Sequence, residues 1–253
     1  MLREFGLVFY RDLQGLLKWP LRLTVLVGPI LSFLLFAPAL GRAVGSIRVG
    51  TVEMNYAAFV VPGLLVTNSM TLAQQACLSV WMDKITGQLE VLFALPLRRA
   101  TLLASGAAKA VFDVILVNSA LMLISVPVLA GQVSWSLRAV LQVWGVSALS
   151  ATAWALFAIG ASAIIERSES FNLFMNLLMT PLMFTSSAYY PLAAIPDWIR
   201  PLAYVNPLTY AVNLLRGLFS GARGWLGVDL AVLLIFLALS AALAAILYPR
   251  SIK

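Results

Sequence analysis

The chain has 253 residues, of which 62% are apolar, and its 17 Lys and Arg residues outnumber its 10 Asp and Glu residues. Soluble domains carry charge on about a quarter of their residues, whereas this chain carries it on 11%. It therefore has too few charged residues for a surface that is exposed to water on all sides. It contains no His and a single cysteine, Cys77, which excludes a multi-ligand zinc site, a His-based triad and an internal disulfide. The composition therefore predicts a membrane protein.

Residues 1–19 predict an amphipathic helix that lies along the cytoplasmic membrane surface. Apolar side chains recur there at helical spacing, and charged side chains occupy the opposite side. Pro20 can end this helix and turn the chain into the first span. The pattern suits a plain interfacial anchor or an interface helix that faces a partner, and both interpretations stay open. The residues that mark the interface helix are Phe5, Phe9, Leu13, Lys18 and Pro20.

Six uncharged runs of 19 to 29 residues follow along the chain. A helix needs about 20 apolar residues to cross about 30 Å of hydrocarbon, and each run meets or nearly meets that length. We therefore predict an all-α membrane protein that forms a single domain over residues 1–253. Its six transmembrane helices are predicted at residues 21–41, 56–82, 108–131, 139–165, 170–190 and 228–249.

The distribution of positive charge predicts the orientation of the chain. Eleven of the 17 Lys and Arg residues fall in the alternating segments 1–22, 83–113, 166–169 and 250–253. Because positively charged loops stay on the cytoplasmic side, both termini are predicted to be cytoplasmic. The net charge of +7 then reflects loops beside anionic lipid, since the chain has no basic tract for nucleic acid.

A short cytoplasmic stretch, residues 85–97, predicts a coupling helix. It combines an apolar cluster with one acidic residue and ends at a proline. Such a helix is too short to be stable alone in water, so it needs a partner surface. Either a soluble subunit receives it in a groove, or the loop rests on the lipid headgroups. The residues expected to dock are Gly87, Leu89, Glu90, Leu92, Leu95 and Pro96.

The outer segment 191–220 is rich in proline, which excludes one straight helix. Its uncharged run, residues 201–215, is too short for a full crossing. We predict an outer re-entrant helical hairpin before the last span, placed where it could cap a translocation path. The expected gate residues are Pro191, Pro196, Trp198, Pro201, Asn206, Pro207, Tyr210 and Arg216.

Polar residues also occur within the predicted spans. Lys109 and Asp113 are four residues apart and can pair near the interface, so a proton relay is not predicted from them. Amides in membrane helices more often bridge helices than bind substrate, and both roles stay open here. The candidates for a place in the transport pathway are Asn68, Asn172 and Asn176.

Three stretches resemble the permease subunits of type-2 ATP-binding-cassette (ABC) exporters, a class that exports drugs and glycolipids. The outer run YYPLAAIPDWIRPLAYVNPLTYAVNLLRG is similar to the class signature, in which Pro-Leu and Pro-x-Trp precede an Asn-Pro-Leu-Thr-Tyr block and an Arg. The run TGQLEVLFALP resembles the coupling helix of the class, although Ile85 and Gln88 replace its usual acidic residue and Thr. Lys18-Trp19-Pro20 is similar to the junction between interface helix and first span.

The resemblance implies a transport subunit with no catalytic residue, no metal site and no cofactor on this chain. It implies a second permease copy, in a homodimer or related heterodimer, and two copies of a separate ATPase subunit that carries ATP and Mg. The complex would export an amphiphilic drug, lipid or glycolipid by alternating access from the inner membrane of a prokaryote. The sequence agrees in lacking the phosphate-binding loop G-x-x-x-x-G-K-[ST].

Other classes remain as alternatives. An ion-coupled secondary transporter needs buried acids or broken helices at mid-membrane. A membrane-embedded lipid-modifying enzyme needs clustered carboxylates or His, and the densest acidic pair here is Glu166 and Glu169. A passive scaffold is opposed only by the coupling helix and the outer hairpin. The permease interpretation explains the most residues.

Overall fold

A computed structural model describes residues 19–49, 52–85, 99–129, 136–165, 167–220 and 226–247. This part of the chain is mostly helical, as the sequence predicts. The helices in chain order are α1 (Trp19–Val44), α2 (Tyr56–Ile85), α3 (Arg99–Val128), α4 (Leu137–Ser162), α5 (Ser168–Thr185), α6 (Arg200–Val205), α7 (Pro207–Ser220) and α8 (Leu226–Leu247). A 3-10 turn, Leu192–Ala194, lies between α5 and α6.

Within the described ranges, four helices are long and apolar enough to cross a membrane. They are Tyr56–Cys77 in α2, Ala104–Pro127 in α3, Leu137–Ser162 in α4 and Leu226–Leu247 in α8. In α1, residues Val27–Ala39 also form an apolar helical stretch. The 18 residues of α5 begin with the polar sequence SESFN. The all-helical membrane class is confirmed, and the count of six spans stays a prediction.

The centre of the bundle is α2, which packs against α1, α3, α4 and α7. Its first three turns, residues 56–66, are apolar on all sides and mostly buried, as expected for a helix enclosed by others. By contrast, α8 packs on α4 and α7 and leaves most of its surface uncovered. Close packing of α8 occurs at Gly160 of α4, where an added Cβ would lie 3.0 Å from a side-chain atom of Leu243.

One buried amide ties three helices together. Asn118 of α3 donates from Nδ2 to the carbonyl oxygen of Leu65 on α2, at 3.1 Å, and to Oγ of Ser147 on α4, at 2.9 Å. Hydrogen bonds of this kind between membrane helices contribute about 0.6 kcal/mol on average. Asn118 therefore fixes the register of α2, α3 and α4 at one level of the bundle.

A short β-hairpin joins α1 to α2, and the sequence analysis did not predict it. Strand β1 (Ser46–Val49) pairs in antiparallel fashion with β2 (Val52–Asn55). Gly45, at a φ of 72°, ends α1 and donates its N–H to the carbonyl oxygen of Gly41 at 3.0 Å. Strands of four residues are too short to produce a clear alternating pattern in the sequence.

The loop after α5 presses directly on α2. A Cβ built on Gly63 of α2 would lie 2.2 Å from the carbonyl oxygen of Ala188, inside van der Waals contact with backbone. Ala188 itself is fully buried. Only glycine permits this approach, so Gly63 sets how closely the loop and α2 can pack.

We expect Gly63→Ala to destabilise the protein, because neither backbone can move away without breaking its own packing. Overpacking of this kind costs about 1–3 kcal/mol. Thermal unfolding of the detergent-solubilised chain measures the effect. Gly145→Ala is the matched control, because a Cβ at Gly145 meets nothing within 4 Å. Equal stability of the two variants would contradict the close approach at Gly63.

Candidate functional site

The first part of the site is the outer hairpin, defined here as residues 186–220, which contains α6 and α7. The two helices meet at Asn206, where the helical path is broken. The Asn206 Oδ1 accepts a hydrogen bond from the N–H of Leu208 at 3.0 Å, and Pro207 occupies the first position of α7. Asn206 is therefore the N-cap of α7, and the proline fixes the helix start without losing a needed donor.

The same Asn206 side chain holds the hairpin to α5. Its Nδ2 donates to the carbonyl oxygen of Leu182 at 2.6 Å and to Oγ1 of Thr185 at 3.2 Å. The last carbonyl oxygens of a helix have no N–H partner within the helix, so the Asn206 amide supplies one of them in α5 with a donor. Asn206, which is 1% exposed, thus joins the end of α5 to the start of α7.

Arg216 places a buried cation between α7 and α2. Its Nη2 donates to the carbonyl oxygen of Phe59 at 3.2 Å and to that of Ser187 at 2.9 Å. Its Cζ lies 3.8 Å from the ring centroid of Phe59, which is the geometry of a cation–π contact. Among the described residues no carboxylate contacts it. Burial lowers the pKa of the Arg216 guanidinium to about 9, so the side chain stays charged at neutral pH.

The loop between α5 and the 3-10 turn is held from both sides. Ser187 accepts from Arg216 through its carbonyl oxygen and donates from Oγ to Oδ1 of Asn213 on α7, at 2.9 Å. On the other side, the hydroxyl of Tyr56 on α2 donates to the carbonyl oxygen of Tyr189 at 3.0 Å. The loop therefore connects α7 with α2.

Sequence reasoning missed several residues of this arrangement. They contribute backbone carbonyls, small side chains or rings, which no motif distinguishes from ordinary packing: Tyr56, Phe59, Gly63, Ser187 and Asn213. The pair Ser186-Ser187 directly after an apolar helix was a usable signal, because hydroxyls there can bond to carbonyls that the helix leaves free.

The predicted gate residues divide into buried and surface groups. Asn206 and Arg216 make the contacts described above, and the half-buried Tyr210 donates its hydroxyl to the carbonyl oxygen of Tyr204 at 2.6 Å. The others lie at or near the surface, with Trp198 the most exposed at 81%. This surface group comprises Pro191, Pro196, Trp198, Pro201 and Pro207.

Beside the hairpin lies a cavity of about 330 Å³ between α1, α2 and the end of α5. We call it the α1–α2 cavity. It contains the predicted pathway residue Asn68. Its lining combines hydroxyls and amides with apolar side chains: Gly28, Pro29, Ser32, Leu64, Thr67, Asn68, Thr71, Leu72, Gln75, Met183 and Tyr189.

The other two predicted pathway residues lie on α5, outside this lining. Asn172 is half-buried and Asn176 is exposed. The structure brings Asn68 into the cavity and leaves Asn172 and Asn176 outside it.

The expected docking residues fall outside the described part of the chain. They are Phe5, Phe9, Leu13 and Lys18 of the interface helix and Gly87, Leu89, Glu90, Leu92, Leu95 and Pro96 of the coupling helix. Pro20 is the second residue of α1, so α1 begins before the proline. In the described ranges no group of three His, Cys, Asp or Glu side chains could hold a metal ion. The roles of the interface-helix and coupling-helix residues stay predictions.

These features are those of a membrane permease, and comparison with known proteins identifies the class. The family of ABC-2 type transporters matches residues 3–220 of the chain. The chain therefore belongs to the ABC-2 type transporter family, as the resemblance of its motifs predicts.

Similar proteins include named transport permeases. Inner membrane transport permease YadH of Escherichia coli (strain K12) is 27% identical over 202 residues, covering 78% of this chain and 75% of YadH. Nodulation protein J of Sinorhizobium fredii (strain NBRC 101917 / NGR234) is 25% identical over 201 residues, covering 76% of this chain and 71% of that protein. A putative transport permease, ycf38 of Cyanophora paradoxa, is 26% identical over 205 residues, covering 78% and 67%. The chain is a multi-pass membrane permease of an ABC-2 transporter.

We expect substitution of Asn206 to separate its two roles. Asn206→Ser keeps an N-cap acceptor but is too short to reach Leu182, whereas Asn206→Ala loses both contacts. The free energy of unfolding, followed by thermal unfolding, should fall for serine and fall further for alanine, by about 1–3 kcal/mol in total. The control is Tyr210→Phe, which removes one bond from a partly exposed hydroxyl. A serine variant as stable as wild type would contradict the link to α5.

Proposed function

We propose that the chain is the membrane-spanning subunit of an ATP-driven exporter, which moves an amphiphilic substrate outward by alternating access. The observation that carries this proposal is the α1–α2 cavity, a space open on one side of the helical bundle whose lining includes hydroxyl and amide groups among apolar side chains. Hydroxyls and amides at this position are costly unless they face water, a ligand or another polar group. In a transport path, these groups would face water or the substrate.

The lining of the cavity suits an amphiphile. Thr67, Thr71 and Gln75 lie along one face of α2 and supply polar groups. Pro29 of α1 and Leu64 of α2 supply apolar surface to the same space. A molecule with a polar head and an apolar tail can satisfy both kinds of wall at once.

The outer hairpin is connected to the cavity through one residue. Tyr189 lines the cavity, and its carbonyl oxygen also accepts the hydrogen bond from Tyr56. Ser187, two residues earlier, accepts from Arg216 of α7. A movement of the hairpin must therefore change the cavity wall, which supports a gate role for Asn206, Tyr210 and Arg216.

The partners follow from the family and from exposed surface. We propose that residues 85–97 dock a separate ATPase subunit, present in two copies, which carries ATP and Mg. A second permease copy would cover α5, where the exposed amide of Asn176 stands among the exposed side chains Leu173 and Leu177. An amide facing lipid is unfavourable, and contact with another protein surface removes that cost. The complex would lie in the inner membrane with both termini cytoplasmic.

The docking hypothesis is tested by Leu92→Asp and Glu90→Lys. A carboxylate in the apolar ridge, or a reversed charge at its rim, should abolish co-purification with the ATPase subunit that we expect to be encoded beside this chain. Leu137→Asp is the matched control, because Leu137 is a 75% exposed leucine at the start of α4, on the predicted opposite membrane face. Retained co-purification of Leu92→Asp would remove the docking hypothesis.

The export hypothesis is tested by Arg216→Lys. Lysine keeps the charge but loses the planar contact with Phe59 and the simultaneous reach to two carbonyls. We expect ATP-driven uptake of a fluorescent amphiphile into inverted vesicles to fall about tenfold or more, since charge-assisted bonds contribute about 1.5–3 kcal/mol. Co-purification with the ATPase should persist. Unchanged uptake would argue against a gate role, and loss of co-purification would place Arg216 in folding instead.

A further inference from the structure

We propose that the α1–α2 cavity binds an uncharged head group that carries hydroxyl or amide groups, and that it discriminates against cationic head groups. This proposal deepens the proposed function and rests on the cavity being part of the transport path. Three observations carry it: the charges around the cavity, its donors and acceptors, and its volume.

Among the described residues, the lining contains no Asp, Glu, Lys or Arg side chain. A charged head group that entered would lose its water without gaining an opposite charge, which is strongly unfavourable in a low-dielectric interior. In addition, the buried cation Arg216 contacts Phe59, eight residues before Thr67 on α2 and therefore about 12 Å away along the helix. This positive charge disfavours a cationic ligand further.

One hydroxyl of the lining can accept a hydrogen bond from a ligand. Thr71 donates its proton to the carbonyl oxygen of Thr67 at 3.1 Å. A hydroxyl has one proton, so Oγ1 of Thr71, which is exposed, retains lone pairs for a ligand that brings its own donors. The hydroxyl of Thr67 is buried and also bonds with the side chain of Tyr189.

One amide of the lining has unused donors. The Nδ2 of Asn68 is buried and has no acceptor in the described part of the chain. Asn68 lines the cavity, and rotation about its last torsion, which is soft in Asn, exchanges the positions of Nδ2 and Oδ1, so a ligand oxygen can be met by the N–H groups. Leaving such donors without an acceptor costs about 1–3 kcal/mol, which a ligand oxygen would recover.

Donors and acceptors therefore stand side by side on α2, at Asn68 and Thr71. Hydroxyl and amide groups both donate and accept, so they match this pair. A trimethylammonium group does neither. A volume of about 330 Å³ corresponds to about ten water molecules at their share of liquid volume, which is room for a head group of one sugar ring.

The experiment uses the full chain in lipid nanodiscs, without an ATPase or ATP. Two probes are compared that share one diazirine-bearing alkyl chain: a β-glucoside and a trimethylammonium salt. After irradiation, the labelled peptides are identified by mass spectrometry. We expect the glucoside to label α1 and α2 about tenfold more than the ammonium probe. The ammonium probe leaves one hydrogen-bonding group of the site without a partner, which weakens binding by about that factor. Equal or stronger labelling by the ammonium probe would overturn the proposal.

A matched pair of glycines tests the position of the site. Gly28 and Gly145 are both exposed helical glycines at which a Cβ meets nothing within 4 Å, and only Gly28 lines the cavity. Gly28→Leu should therefore abolish glucoside labelling of α2, whereas Gly145→Leu should leave it unchanged. Equal labelling of the two variants would place the ligand elsewhere.

Substitution of Asn68 tests the chemistry of the site. Asn68→Leu should reduce glucoside labelling about tenfold, the cost of about one hydrogen bond. Asn68→Asp has nearly the same shape but adds a negative charge, so it should raise labelling by the ammonium probe. Unchanged labelling in both variants would overturn the proposal.

The outcomes also separate this proposal from the proposed function. Selective labelling in the isolated chain, together with failed ATP-driven uptake, would sustain the binding site and contradict the exporter. Successful uptake with unselective labelling would sustain the exporter and contradict the binding site.

Discussion

A helix that breaks inside a membrane exposes N–H and C=O groups that lipid cannot satisfy. The outer hairpin, which is predicted to re-enter the membrane, has side chains that satisfy such groups. Asn206 caps the N–H groups at the start of α7 and donates to the carbonyl of Leu182 at the end of α5. One amide thus serves two helix ends, and the irregular path between α6 and α7 depends on it.

Arg216 satisfies the same constraint on the other side of α7. Burying a guanidinium without a counter-charge is unfavourable, and two carbonyl oxygens and the face of Phe59 offset that cost. The cation in turn supplies a donor to Ser187, in a loop where regular helical bonds are absent. Asn206 and Arg216 therefore hold the hairpin to α5 and to α2, and both helices contribute to the α1–α2 cavity.

The sequence predicted the structure where a residue type is compatible with only one kind of structure. Uncharged runs located the long helices because only apolar side chains tolerate lipid, and clustered prolines excluded a straight helix between α5 and α8. It did not predict the short β-hairpin. It also did not predict the role of Gly63, because that close backbone approach depends on the position of Ala188 in the folded chain. It singled out Asn206 and Arg216 by motif, but their partners are mostly backbone carbonyls, which carry no signal in a sequence.

The sparse coverage of α8 has a mechanical consequence. Its 22 residues measure about 33 Å, close to the thickness of the hydrocarbon layer, and it contacts little besides α4 and α7. A thinner bilayer tilts such a rod to shorten its projection along the membrane normal. Such a tilt would displace its neighbours α4 and α7, and α7 carries Arg216.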